Sequence, residues 1–128
     1  MKWALAQLYR YGKAPFKFES VLDLGDRIKG TDILDISPVN ISGSGVRLED
    51  DHYEFNIHIE CICVLEDSLT LEPIDYKVDL DVTEEFDKVD SENVNLIPAQ
   101  TIELDDVVWQ NIYLSIPMRI VKAEYLNQ

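Results

Sequence analysis

Residues 53 to 65 read YEFNIHIECICVL, and this stretch sets the expected fold. Its odd positions, from Tyr53 to Leu65, are all apolar or cysteine, while its even positions begin with polar residues and turn apolar at Ile62. Because side chains alternate between the two faces of a strand, the pattern predicts a β-strand with one buried face. The end of the stretch, apolar at both parities, is expected to be covered on both sides.

Two flanking segments complete a predicted antiparallel meander. Residues 74 to 82 alternate apolar with mostly acidic side chains, which predicts a strand with one buried and one acidic face. The chain must reverse over residues 66 to 73, and the apolar residues there suggest that the hairpin strands extend into this region. Upstream, within residues 37 to 48, the apolar side chains move from odd to even positions. We place a β-bulge at Gly43 to Gly45, where this change of phase occurs.

A C-terminal helix is predicted between residues 105 and 116, where apolar residues recur at helical spacing. Asp105 and Asp106 lie at its start, so we interpret them as capping residues rather than as a catalytic pair. Pro117 stops the helix. We interpret Leu114 to Met118 as core packing and a helix stop rather than as a docking surface. A helix this short is marginal alone, so it should dock on the sheet.

The remaining segments are less regular. Residues 16 to 24 predict a short strand that extends the sheet, preceded by a helical turn over residues 4 to 9. Residues 83 to 100 are rich in acids and predict a loop. The tail, residues 118 to 126, is compatible with an extended strand. The expected fold is therefore α+β: an antiparallel sheet, with closure into a barrel left open, and a C-terminal helix packed on one face.

Composition describes one globular domain, residues 1 to 128, with a net charge of −14. Such an excess of acid speaks against a whole-surface binder of nucleic acid or anionic membrane. No apolar run approaches the roughly 20 residues that span a bilayer, and no signal peptide is recognisable, so we expect a cytoplasmic protein. Phosphate loops, nucleophile elbows and His-containing metal signatures are absent. The sequence therefore predicts no enzyme, metal, cofactor or small-molecule substrate.

The charge is unevenly distributed along the chain. Residues 1 to 18 carry a net +4 with five interleaved aromatic residues, and residues 49 to 106 hold 19 acids against two lysines, a net −17. This split is compatible with two functional faces. It is equally compatible with a solvated acidic surface and N-terminal lysines that simply face water.

Individual polar residues have structural explanations beside functional ones. Asp79 and Asp81 form a candidate carboxylate pair for a cation or for acid–base work, but the outer face of an alternating strand accounts for both. His52 and His58 have no nearby partners in sequence, and we interpret them as solvated or salt-linked histidines.

Several short motifs follow one another along nearly the whole chain: MKW with Gln7-Leu8, Phe18-Glu19, Leu22-Asp23-Leu24, Asp35 to Val39 (DISPV), Leu71-Glu72-Pro73 and Asn111 to Met118 (NIYLSIPM). In this order they resemble the YceD-like family of large ribosomal RNA subunit accumulation proteins, and most closely its versions from low-GC Gram-positive bacteria. The resemblance implies a bacterial cytoplasmic protein that supports large-subunit ribosomal RNA levels, without an established enzymatic activity.

One family feature is missing from this chain. Many members carry Cys-x-x-Cys just before Leu-Glu-Pro, a spacing that suits metal or redox chemistry. Alignment on that tripeptide places Asp67 and Thr70 at the two cysteine positions, so no zinc or disulfide role carries over. Cys61 and Cys63 have the wrong spacing, and we interpret them as small hydrophobic residues buried on one face of the strand.

Two hypotheses of function follow. The favoured one is a non-enzymatic ribosome biogenesis factor that binds a basic ribosomal protein or assembly factor by electrostatic complementarity. Its candidate partner-binding residues are Asp75, Asp79, Asp81, Glu84 and Glu85.

The alternative is direct binding of ribosomal RNA through the basic aromatic N-terminal segment, by base stacking and phosphate contacts. The opposing interpretation is that Trp3 packs on the sheet edge. The candidate RNA-binding residues are Trp3, Arg10, Lys13 and Lys17.

Overall fold

The computed structural model describes residues 1–89, 91–97 and 100–117. These residues form eight strands and two α-helices, with a 3-10 turn at Gly25–Ile28. In chain order the elements are β1 (Lys2–Ala4), α1 (Leu5–Arg10), β2 (Phe16–Leu22), β3 (Asp35–Ile36), β4 (Val39–Glu49), β5 (His52–Glu66), β6 (Pro73–Asp87), β7 (Asn95–Leu96), β8 (Thr101–Glu103) and α2 (Asp105–Ser115).

The strands form one large sheet and one small ribbon. In the large sheet the order is β2-β4-β5-β6-β7, with β3 also paired to β5, and in the small ribbon β1 pairs with β8. All pairs are antiparallel except β6 with β7. The α+β prediction and the β4-β5-β6 meander are confirmed. Within the described residues the sheet ends at β2 and at β7, so it does not close there.

The hairpin of β5 and β6 is the longest pairing in the molecule. It runs without a register shift from Tyr53 opposite Phe86 to Glu66 opposite Pro73. The predicted long hairpin is confirmed, and its strands reach both ends of the 66 to 73 region. They do not extend as far as Leu69 and Leu71, because Asp67 closes the chain reversal there. Its carboxylate accepts hydrogen bonds from backbone N–H groups of residues 69 and 70 at 2.8 and 2.9 Å.

The predicted bulge at Gly43 to Gly45 is also wrong. Strand β4 keeps a continuous register with β5 through both glycines, and the irregularity lies between Arg47 and Glu49. Both glycines continue the inward parity of β4, where there is no room for a side chain. A Cβ on Gly43 would overlap the backbone carbonyl oxygen of Asn56 on β5. Gly43 therefore allows close approach of the strands, and Gly45 leaves room for the rings of Phe16 and Phe55; neither produces a change of phase.

The inner face of the sheet packs an aromatic cluster against the N-terminal elements. Trp3 is 5% exposed and lies 5.3 Å, centroid to centroid, from both Phe18 and Phe55. Leu5 and Leu8 of α1 are buried beside it. Edge-to-face aromatic pairs contribute about 0.5–1.5 kcal/mol each beyond their burial. The apolar residues Trp3, Leu5 and Leu8 of the N-terminal segment are thus part of the core.

Helix α2 confirms the predicted C-terminal helix and docks on the inner face through Val107, Val108 and Ile112. Its aspartates do not cap it: the Asp105 carboxylate pairs with the amino group of Met1, and no side chain caps the helix. Among the described residues, no helix combines the length and the apolar character needed to cross a membrane.

Two other predictions near the C-terminus need correction. Core packing does not hold for Leu114, which is 82% exposed. The predicted loop begins too early, because β6 continues to Asp87 and buries Phe86. Short strand β7 then pairs in parallel with the end of β6. The predicted tail strand, 118 to 126, lies outside the described residues.

Replacing Gly43 with alanine should destabilise the protein by about 1–3 kcal/mol, the usual cost of overpacking. The new methyl group must push β4 away from the Asn56 carbonyl in the middle of the sheet. Ser44→Ala, at the neighbouring position facing the opposite side, is the matched control and should change stability by less than about 0.5 kcal/mol. Chemical denaturation measures both, and equal values for the two variants would contradict the packing argument.

Candidate functional site

The face of the sheet opposite the helices, here called the outer face, is formed by β2, β4, β5 and β6. Register places even positions of β4 and β5 beside odd positions of β2 and β6 on this side. Both helices bury their apolar residues on the inner side, so no described helix covers the outer face. Its acids are Glu19, Glu54, Glu60, Glu66, Asp75, Asp79, Asp81, Glu85 and Asp87, and it also carries Lys17 and Lys77.

His58 lies at the centre of the outer face, among three carboxylates. Its Nδ1 is 2.8 Å from Oδ1 of Asp81, and its Nε2 is 2.9 Å from Oε1 of Glu60 and 3.4 Å from Oδ1 of Asp79. Asp81 is directly opposite His58 on β6, and Asp79 is opposite Glu60. The sequence prediction of a salt-linked histidine is confirmed.

The carboxylates stabilise the protonated imidazole. The hydrogen bond with Glu60, followed by that with Asp81, raises the pKa of His58 from 6.5 to about 9. In return, the hydrogen bond from His58 lowers the pKa of Glu60. His58 therefore carries a positive charge at neutral pH.

His52 occupies a different environment at the end of β5. Its Nε2 is 3.8 Å from Oε1 of Glu85, and its Nδ1 is 3.8 Å from Oδ2 of Asp87. Each ring nitrogen thus faces a single carboxylate, at ion-pair rather than hydrogen-bond distance.

Of the predicted partner-binding residues, Glu84 does not share the face of the others. Its parity turns it to the inner side, where its carboxylate oxygens accept hydrogen bonds from the amides of Asn95 and Asn111, both at 2.8 Å. Glu84 thus ties β7 and α2 to β6. Because this carboxylate already has two donors, we remove Glu84 from the candidate partner-binding set.

The outer face is not flat. A shallow hollow of about 400 Å³ lies between β2 and β5, with Asn40 and Ser42 of β4 among its lining residues. His58 and Glu60 line it from β5, and Glu19 lines it from β2. Small side chains on β4 therefore leave the acids of the neighbouring strands accessible.

The residues predicted for RNA binding are divided by the fold. Trp3 is buried among aromatic rings, so its ring is not available for stacking on a base. Arg10, Lys13 and Lys17 are exposed. The sequence reasoning missed Arg47, whose guanidinium carbon lies 4.6 Å from the ring centroid of Tyr9. The two residues are far apart in sequence, and only the folding of α1 against β4 brings them together.

Cys61 and Cys63 are free thiols buried on the inner face, as predicted. A hydrogen bond with Cys63, together with burial, raises the pKa of Cys61. A thiol with a raised pKa holds little of the reactive thiolate at neutral pH.

Comparison with known proteins finds a relative in Bacillus subtilis (strain 168). The chain is 30% identical over 127 residues to "Uncharacterized protein YlbN", an alignment that covers 94% of this chain and 73% of that protein. No family model matches the chain. No solved structure matches it either.

The raised pKa of His58 predicts how stability depends on pH. A pKa above the ordinary value means that proton binding favours the folded state, so this contribution is complete below about pH 6.5 and is lost as pH rises through about 9. His58→Gln should therefore differ most from the parent in unfolding free energy below pH 6.5 and converge with it above pH 9.

NMR of the imidazole ring measures the titration directly. The midpoint for His58 should lie near 9, and Asp81→Asn should lower it because one of the two hydrogen-bonding carboxylates is neutralised. A midpoint near 6.5 in the parent protein would show that the carboxylates do not engage the ring.

Proposed function

We propose that this chain, which belongs to the same family as YlbN of Bacillus subtilis, is a non-enzymatic ribosome biogenesis factor of the cytoplasm. In this proposal it supports accumulation of large-subunit ribosomal RNA by binding a basic ribosomal protein or assembly factor. The resemblance of its ordered motifs to YceD-like proteins supports the biological role. The observation that carries the mode of action is the acidic outer face.

The outer face has the chemistry that a basic protein requires. Its acids are spread over three strands, and Asp79 and Asp81 are 48% and 86% exposed. The acids outnumber the cations Lys17, Lys77 and His58 on this surface. An excess of one charge raises the association rate with an oppositely charged partner and selects its charge type. Because the Debye length is about 8 Å at physiological salt, such binding should weaken as salt is raised.

Direct binding of ribosomal RNA is the second candidate. The observation that favours it is the cation–π pair of Arg47 and Tyr9, which adds a cation and an aromatic ring to the exposed cations of the N-terminal segment. Phosphate contacts by Lys13 and Lys17 would make RNA affinity strongly salt-dependent. With Trp3 in the core, this candidate has lost its largest stacking residue, so we place RNA as the indirect partner.

Charge reversal on the outer face tests the favoured function. A variant with Asp75, Asp79 and Asp81 changed to lysine should lose at least tenfold in affinity for the basic partner that the parent protein captures from ribosomal particles at low salt. The loss follows from replacing attraction by repulsion at the contact. Quantitative capture followed by titration with the purified partner measures it.

A matched control separates position from net charge. Asp26, Asp32 and Glu103 are exposed acids outside the outer face, and their reversal changes the total charge equally. This control should bind within about threefold of the parent. Equal losses in the two triple variants, or recovery of no ribosomal component at low salt, would contradict the proposal. Loss only on Arg10→Glu with Lys13→Glu, which changes two exposed cations outside the outer face, would favour the RNA candidate.

A further inference from the structure

The cluster around His58 has a donor arrangement that goes beyond partner binding. We propose that the outer face holds a site for one divalent transition-metal ion, with Nε2 of His58 and the carboxylates of Glu60 and Asp79 as its ligands. The site does not depend on the proposed role in ribosome biogenesis. It rests on the distances, the register and the donor types of these side chains.

The three donor atoms have the mutual spacing that a metal ion needs. They lie within 4.8 Å of one another, and Nε2 of His58 is 2.9 Å from the Glu60 oxygen and 3.4 Å from the Asp79 oxygen. Ligand atoms about 2.1 Å from a tetrahedral Zn²⁺ ion are separated by about 3.4 Å. Small rotations of exposed carboxylates therefore suffice to converge the donors on one ion.

Asp81 completes the arrangement from behind the ring. It binds Nδ1 of His58 at 2.8 Å, on the side opposite the two ligand carboxylates. Histidine ligands of metals almost always donate their second ring N–H to a carboxylate, a backbone carbonyl or water, which fixes the tautomer and raises ligand basicity. Asp81 is therefore a positioning residue that directs the lone pair of Nε2 toward Glu60 and Asp79.

The backbone holds these donors in register. His58 and Glu60 are two residues apart on one face of β5, and Asp79 is directly opposite Glu60 on β6 in the uninterrupted hairpin. Sites built on paired strands are more rigid than sites built on loops. The small side chain of Ser42 faces His58 from β4 and leaves room on the remaining side for water ligands.

His52 provides a comparison for His58, because it also has carboxylate neighbours but in a different arrangement. His52 also has two carboxylate neighbours, but they lie 3.8 Å from different ring nitrogens, on opposite sides of the imidazole. No single nitrogen of His52 shares a face with two carboxylates. The two histidines therefore form an internal comparison within one protein and one overall charge.

The donor set selects the class of ion. One imidazole and two carboxylates suit Zn²⁺ and Mn²⁺, because Mg²⁺ and Ca²⁺ prefer oxygen donors alone and soft Cu⁺ prefers sulfur. The ion would displace the proton that His58 carries at neutral pH, and the two carboxylates with the resulting neutral imidazole would balance its double charge. Three protein ligands leave the fourth position of a tetrahedral ion open for a water molecule.

Isothermal titration of the full chain with Zn²⁺ at 0.15 M salt tests the site. We expect one ion per chain. Affinity should fall at least tenfold in His58→Asn, and by about tenfold to a hundredfold in Asp81→Asn, the usual effect of losing an outer-shell carboxylate. His52→Asn is the matched control and should bind like the parent. Circular dichroism verifies that each variant is folded.

Imidazole NMR supplies a second readout that general attraction of cations to the acidic surface would not produce. Addition of one equivalent of Zn²⁺ should shift the ring signals of His58 and leave those of His52 in place. The proposal is overturned by the absence of saturable binding or by several weak equivalent sites. Equal losses in His52→Asn and His58→Asn would overturn it as well.

Discussion

The uninterrupted antiparallel pairing of β5 with β6 is the constraint on which the rest of the structure depends. From Tyr53 opposite Phe86 to Glu66 opposite Pro73, every residue of one strand has a fixed neighbour on the other. The period of two then assigns each side chain to one of two faces. One face receives Ile57 and Ile59 and becomes the core, and the other receives the acids of the hairpin except Glu84. A slip by one residue would bury the acids and expose the core, so packing and charge placement share one register.

Much of the fold could be predicted because alternation and helical spacing are local signals. Strand β5, the meander, helix α2 and the burial of Cys61 follow from such patterns. The acid-rich composition after residue 82 predicts a loop and hides the orientation of Glu84. The alternation of buried and exposed residues in β6 in fact continues past Glu84 to buried Phe86. The His58 cluster depends on the register across a hairpin, since Asp81 lies 23 residues away. The spacing of residues within one strand does not predict a contact between residues so far apart in sequence.

The roles of Gly43 and Trp3 also could not be predicted from local sequence patterns. The sequence pattern predicts a bulge at Gly43, because a change of phase along a strand often requires one. In the structure, Gly43 is instead required because β4 passes close to the Asn56 carbonyl. Trp3 lies among charged and aromatic residues that are typical of a nucleic-acid surface, yet it completes the aromatic cluster around Phe55. Both outcomes are decided by tertiary packing. They leave the outer face, rather than the N-terminal segment, as the main accessible charged surface of the proposed function.

In the proposed function, the outer face binds a basic protein of the ribosomal particle. Site-specific photocrosslinking during gradient sedimentation tests this contact most directly. A photoreactive residue at Asn40 reports on the outer face, and one at Gln7 reports on α1; both positions are exposed. The account predicts co-sedimentation with large-subunit precursors at low salt, its loss at high salt, and protein crosslinks from Asn40 alone. Crosslinks to RNA from Gln7 with none from Asn40, or no co-sedimentation at either salt concentration, would contradict it.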